Sequence, residues 1–179
     1  DLFVDFKSDQ RKEEGISTFL RLSGAFPLCG KGDVNLYTVF TELVTRCING
    51  NGRGGTVIPT GIATDDTTKD FFQSVVAGRN LVSIFDFENR KEIFKGVQGN
   101  IKFCLFTFSA TPVNSILMAA QLDSVELLNN AERVFPITSE DIKAINPNTL
   151  NCPMFKTRQD ASLLKWVHNR VPVLENENN

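Results

Sequence analysis

The sequence predicts an α/β domain, and three observations carry that expectation. Apolar residues recur at intervals of three and four over 8–24, 36–47 and 67–77. Runs rich in Val, Ile, Leu and Phe at 54–60, 81–87 and 102–108 are bounded by Gly, Pro and Asn. The two patterns alternate along the chain. At 179 residues, with about 150 residues per domain, the expectation is one domain and a tail. A content of 41% hydrophobic and 22% charged residues suffices for a real core and excludes global disorder, a collagen-like chain or a disulfide scaffold. Nineteen basic against 21 acidic residues give a net charge of −2, so any attraction to nucleic acid or membrane has to be local.

The elements follow in order. Asp1 to Phe6 alternates poorly, whereas Ile16, Phe19, Leu20 and Leu22 sit near helical spacing and predict a helix over 8–24. The stretch 27–33 is a Gly-rich loop. Leu36, Phe40, Leu43, Val44 and Cys47 form one stripe of a helix capped by Asp33 or Asn35 and stopped at 49–52. The run 54–60 reads as a short strand too apolar to alternate, closed by Pro59 and Gly61. Asp65 and Asp66 read as cap and first-turn acids of a helix over 67–77 with Phe71, Phe72, Val75 and Val76 inward and Gly78 as its stop. Two strands at 81–87 and 102–108 are joined by the polar loop 89–100, and 115–128 fits strand or helix equally. A short helix starts near Thr138 or Ser139, a turn lies at 146–149, and Thr157 with Asp160 caps a last helix running to about Asn169.

Four widely spaced cysteines and the single His168 disfavour a zinc site, so no metal is expected. They fit buried, structural thiols and a cytoplasmic location. No apolar run approaches the roughly 18 residues of a spanning helix, and the first residues lack a signal segment, so no membrane partner is expected. The chain opens at Asp1 without an initiator Met and reads as a piece of a longer protein.

Catalytic signals are sparse. The Gly-rich segment 49–55 precedes a strand, whereas phosphate cradles follow a strand and open a helix, so it reads as a plain turn. His168 has no ligand-spaced partner and reads as a surface or packing residue. The loop 89–100 differs, because Arg90, Lys91, Lys95, Gln98 and Asn100 surround one aromatic, Phe94. A basic loop with an apolar ring is what stacking on a base with phosphate contact beside it requires. On composition alone, a ring folded back to plug the hairpin is the favoured reading.

Gly52 to Lys69, the run Phe-Asp-Phe-Glu-Asn-Arg-Lys-Glu-Ile-Phe ending at Phe94, and Lys102 to Thr107 together resemble the C-terminal half of the catalytic domain of adenine-specific DNA methyltransferases. The subfamily is the long, type IIG-like methylases of restriction-modification and phage-exclusion systems. Asn146 to Asp160 and Arg170 to Leu174 resemble the stretch that follows that domain. The resemblance implies a partial Rossmann-like methyltransferase sheet, mixed, with an antiparallel last strand and flanking helices. Residues 1–130 would be the back half of the catalytic domain and 131–179 a helical connector towards a target-recognition region. The strands at 54, 81 and 102 would be the last three, with Val57, Ile58, Ile84, Phe85, Leu105 and Phe106 in the core. The raw sheet edge would be covered by the N-terminal segment or by a second copy.

The family moves a methyl group from S-adenosylmethionine to the exocyclic nitrogen of an adenine flipped out of duplex DNA. By position, Phe94 takes the ring that stacks on that adenine, with Arg90, Lys91, Lys95 and Asn100 as DNA contacts. The family's glycine-rich cofactor motif and its Asn/Asp-Pro-Pro-Tyr/Phe tetrad are not in these 179 residues. Catalysis would then belong to the parent polypeptide, with weak or no cofactor binding by this chain alone. Two rival readings are a non-catalytic DNA-binding or interaction module on the same scaffold, and an unrelated α/β interaction domain.

Overall fold

The computed structural model describes residues 1–148 and 150–171. Thr149 and most of the segment resembling Arg170 to Leu174 lie outside the described residues. Among the described residues six helices and five strands follow one another as α1 (Leu2–Leu22), α2 (Leu36–Cys47), β1 (Arg53–Pro59), α3 (Gly61–Thr64), α4 (Lys69–Ala77), β2 (Leu81–Glu88), β3 (Lys102–Ser109), β4 (Ile116–Leu122), β5 (Phe135–Ile137), α5 (Ser139–Ile145) and α6 (Arg158–His168).

The strands form one open mixed sheet in the order β1-β3-β2-β4-β5, flanked by helices. β3 runs antiparallel to both β1 and β2, β4 lies parallel to β2, and β5 is antiparallel to β4. The strand at 102–108 is therefore antiparallel to its neighbours as expected, but the strands at 54, 81 and 102 are not the last three, since β4 and β5 follow them in the same sheet. β1, β2 and β4 all end at the same end of the sheet. The segment after residue 130 adds to this sheet. It supplies β5, and its Ile142, Ile145, Cys152 and Phe155 enter the same core as β1 to β3.

Alternation divides the sheet's side chains between two faces. On one, Ile58, Ile84, Phe106 and Phe108 pack against Phe71, Phe72, Val75 and Val76 of α4. On the other, a smaller cluster of Phe87, Phe103, Ala119 and Leu122 is joined by Phe85, Leu105, Leu127 and Leu128. Of the six expected core residues, Ile58, Ile84 and Phe106 are buried, and Phe85 and Leu105 are half-buried. Val57 is 57% exposed, because edge strand β1 alternates after all and Val57 points to the thinly covered face.

Three further readings are corrected by packing. Helix α1 begins at Leu2, with the Asp1 carboxylate accepting from Phe3 N at 3.1 Å, and it buries none of its residues. Its central 7–15 is charged or polar apart from Gly15, so no continuous apolar stripe exists to dock. Among the described residues β1 has β3 as its one strand partner. On α2 the stripe Leu36, Phe40 and Leu43 faces outward, and the buried residues are Thr38, Val39, Thr41 and Glu42. The helix expected from 67 starts at Lys69 with Thr68 as its N-cap, after a single 3-10 turn that holds Asp66.

The remaining elements follow local chemistry. The ambiguous 115–128 is β4 followed by a 3-10 turn. Thr138 with Asp141, and Thr157 with Asp160, form complete capping boxes on α5 and α6.

Candidate functional site

The loop between β2 and β3 is held from inside by Asn89, which is fully buried although the residues after it are mostly exposed. Its Nδ2 donates to the carbonyls of Phe94 (3.0 Å) and Val97 (2.9 Å), and its Oδ1 accepts from the N–H of Phe94 (2.8 Å). The path round the ring uses left-handed residues at Glu92 (φ 52°) and Gly96 (φ 79°).

Phe94 is 44% exposed. Its ring meets Phe103 edge-on at a centroid distance of 4.9 Å, and Phe103 stacks on Phe87 at 5.3 Å and 6°. Phe94 is thus anchored on one side and open on the other, which is neither a sealed plug nor a free ring.

The charged candidates divide. Arg90 Nε lies 2.8 Å from Glu88 Oε2, and Lys91 Nζ lies 3.2 Å from Asp123 Oδ1. Both pairs are exposed on the cation's side, where such pairs contribute little and exchange readily. Lys95 and Asn100 are exposed on the outer turn of the loop.

A second feature sits where β1, β2 and β4 end. A cleft of about 620 Å³ is lined by Tyr37, Thr60, Asp65, Asp86, Lys102 and Gln121, among others. Asp86 is buried at its floor, accepting from Thr60 Oγ1 at 2.6 Å and from Gln121 N at 3.0 Å. One carboxylate so ties together the ends of three strands, and it holds Gln121 at φ 54°. Burial and the Asp65 carboxylate push the Tyr37 phenol pKa up. Gly61 lets these groups close in, since a Cβ there would collide with Asp65 and approach the Tyr37 hydroxyl at 3.0 Å. Adjacent strand residues point to opposite faces. Lys102 lines the cleft and Phe103 carries Phe94, so ring and cleft lie on opposite sides of β3. Sequence reasoning did not single out this cleft; the one signal was Asp86, a carboxylate inside the apolar run 81–87.

The other sequence candidates are plain. The segment 49–55 is a turn at 49–52, closed by Gly52 N to Asn49 O at 2.8 Å, that runs into the first residues of β1. His168 is half-buried at the end of α6. Cys29, Cys104 and Cys152 are buried, but Cys47 is exposed on α2, which corrects the expectation of four buried thiols. Among the described residues no group of three or more His, Cys, Asp or Glu could hold a metal ion, and no helix is long and apolar enough to cross a membrane.

No protein-family model and no curated protein matches the chain. Among solved structures it is similar to the type IIG restriction endonuclease BpuSI, at 17% identity and a TM-score of 0.45, over 78% of this chain and 16% of that one. It is also similar to a protein described as a modification subunit of a type I restriction enzyme from Vibrio vulnificus YJ016, at 16% identity and a TM-score of 0.41, over 83% of this chain and 29% of that one. The chain spans less than a third of either protein's length.

Proposed function

We propose that this chain is the back half of the catalytic domain of a DNA adenine methyltransferase of a restriction-modification system, and that Phe94 is its stacking ring for the flipped adenine. One observation carries the reading: the strand that follows the aromatic loop runs antiparallel between two strands that are parallel to each other, and the aromatic of that loop is half open to solvent. The resemblance in the sequence gives the family's final strand that direction and gives the loop before it that ring.

Flipping an adenine costs a few kcal/mol of unstacking, and a stacking ring returns about 1–3 kcal/mol. Lys95 and Asn100 face the backbone of the same strand, with Arg90 and Lys91 exchanging their carboxylates for phosphate. The methyl donor is S-adenosylmethionine bound by the rest of the parent polypeptide. The cofactor motif and the tetrad are absent from these 179 residues, so this chain alone binds the cofactor with Kd above about 1 mM, a free energy smaller in size than about 4 kcal/mol.

A second reading, a non-catalytic interaction module on this scaffold, is favoured by the outward stripe Leu36, Phe40 and Leu43 on α2. The two separate in a titration of the chain with duplex DNA carrying 2-aminopurine at a mismatched position. Base stacking predicts that Phe94→Ala weakens binding about 5- to 150-fold and that Lys95→Ala lowers the salt slope by about 1. Equal binding by the Phe94→Ala chain would remove the base-contact reading and leave the interaction module. Micromolar S-adenosylmethionine binding in calorimetry would overturn the assignment of the cofactor site to the rest of the parent.

A further inference from the structure

We propose that Asn89 is the positioning residue of the Phe94 ring, a buried carboxamide that sets the loop so that the ring stands at its place before a base arrives. The proposal rests on the base-contact reading of Phe94. A primary amide offers two donors and an oxygen with two lone pairs. Asn89 spends both donors and one lone pair on this loop, and both backbone polar groups of Phe94, its N–H and its C=O, are held by this one side chain. The backbone of Asn89 closes the same loop twice more, its N–H to Ile101 O at 3.0 Å and its C=O to Glu92 N at 2.9 Å.

Beside these bonds the loop's own contribution at Phe94 is a single longer one, Val97 N to Phe94 O at 3.3 Å. Phe94, Val97 and Ile101 are all exposed, and Glu92, two residues before Phe94, stands in the left-handed region that a non-glycine residue rarely adopts. The anchors to the rest of the fold are side chains, Ile93 against the Phe87 and Phe103 cluster, Phe94 edge-on to Phe103, and Lys91 paired with Asp123, and none of them holds the backbone groups of Phe94. Fixing that backbone in advance removes an ordering cost from the binding step. The role needs the amide itself. Aspartate could accept from the Phe94 N–H but would face the carbonyls of Phe94 and Val97 with a charge, and alanine would satisfy none of the three.

The test uses the full chain. Its single tryptophan, Trp166, is replaced by Trp166→Phe, and Phe94→Trp then makes the ring its own reporter. In that background, Asn89→Ala and Asn89→Asp are expected to keep the far-ultraviolet spectrum and a cooperative melt, while fluorescence anisotropy of the reporter falls and its quenching by acrylamide rises. With the 2-aminopurine duplex, Asn89→Ala in the natural chain should lose about as much affinity as Phe94→Ala, about 5- to 150-fold, and the double variant should lose no more than either single one. A reporter equally shielded in the Asn89→Ala and Asn89→Asp chains overturns the proposal. So do losses that multiply in the double variant, because Asn89 would then act through something other than Phe94. If Asn89→Ala does not fold, Asn89→Asp decides the same question by the same two readouts. Should Phe94→Ala leave duplex binding unchanged, the base-contact reading fails by itself, and the reporter still decides whether Asn89 sets the ring.

Discussion

Helices α2 and α4 have the same kind of apolar pattern and opposite fates. In α4, Phe71, Phe72, Val75 and Val76 are buried against the sheet. In α2, the large apolar residues Leu36, Phe40 and Leu43 look outward, and the helix docks through Thr38, Val39, Thr41 and Glu42. The polar docking face is tolerated because its groups are paired locally. Thr38 and Thr41 donate to the carbonyls of Asn35 and Tyr37, at 2.7 and 2.6 Å, and Glu42 accepts from Cys29 N at 2.8 Å. Periodicity therefore announces an amphipathic helix, but which side is buried is decided by what lies beside it and by which polar groups find partners. Among the described residues the outward stripe of α2 is left as surface.

The sharpest break between the two sides of α2 is chemical. Cys29 packs under the helix, where burial and the Glu42 carboxylate push its thiol up to about 12, while Cys47 is exposed. Since the thiolate is the nucleophile, a rise of about three pH units leaves Cys29 about a thousandfold poorer in thiolate than an ordinary thiol at pH 8. Alkylation followed by mass spectrometry should label Cys47 first and leave Cys29 and Cys104 unlabelled until the chain unfolds. Labelling of Cys29 at the rate of Cys47 would mean that α2 is not docked on its polar side. Cys104 is likewise raised to about 12 by burial. The unfolded chain therefore gives up these protons first. The contribution to stability is complete below about pH 8.5 and declines as pH rises from there through about 12.

The next contrast compares two phenylalanines. Phe72 on α4 is fully buried and Phe40 on α2 is 60% exposed. Phe72→Ala is expected to cost about 3–5 kcal/mol, and Phe40→Ala to stay within about 0.5 kcal/mol, both read from denaturant midpoints. A loss of several kcal/mol from Phe40→Ala would show that the outward stripe is covered in solution, by a second copy of the chain for instance, and the concentration dependence of the midpoint would identify that cover.

Smaller again is the effect expected from the buried carboxylate. Glu42→Ala leaves the buried N–H of Cys29 without its acceptor, which costs about 1–3 kcal/mol. Glu42→Gln keeps a carbonyl oxygen at the same reach and should cost less than half as much. Equal losses in the two variants would mean that the charge, and not the hydrogen bond, holds the face down.

What was legible in the sequence is what is decided locally. Thr157 with Asp160 could be read as a capping box because it spans four residues, and the helix start near Thr138 could be placed as well. The hairpin from Leu81 to Phe108 could be read because its strands and polar loop are contiguous. The facing of α2 could not, since it depends on Cys29 and the sheet, and neither could the cleft, since Asp86 becomes a floor only when Thr60 and Gln121 arrive from two other strand ends. Asn89 stood in plain view within the loop, yet its burial followed only from the loop turning back over it.

A small effect on stability is expected at the residue with the largest functional weight. Phe94 keeps an edge contact with Phe103 at 4.9 Å while 44% of it is exposed. Such an aromatic pair contributes about 0.5–1.5 kcal/mol beyond its area, so Phe94→Ala should lower the denaturant midpoint only slightly, far less than Phe72→Ala. Phe94→Trp, which keeps a π face, should hold both stability and base binding. The comparison that decides is between the two losses in the Phe94→Ala chain. A small loss of stability with a large loss of 2-aminopurine binding is what an open stacking ring gives. A loss of about 3 kcal/mol or more in stability, with unchanged binding per folded molecule, would make Phe94 the plug of its hairpin and return the loop to a structural role.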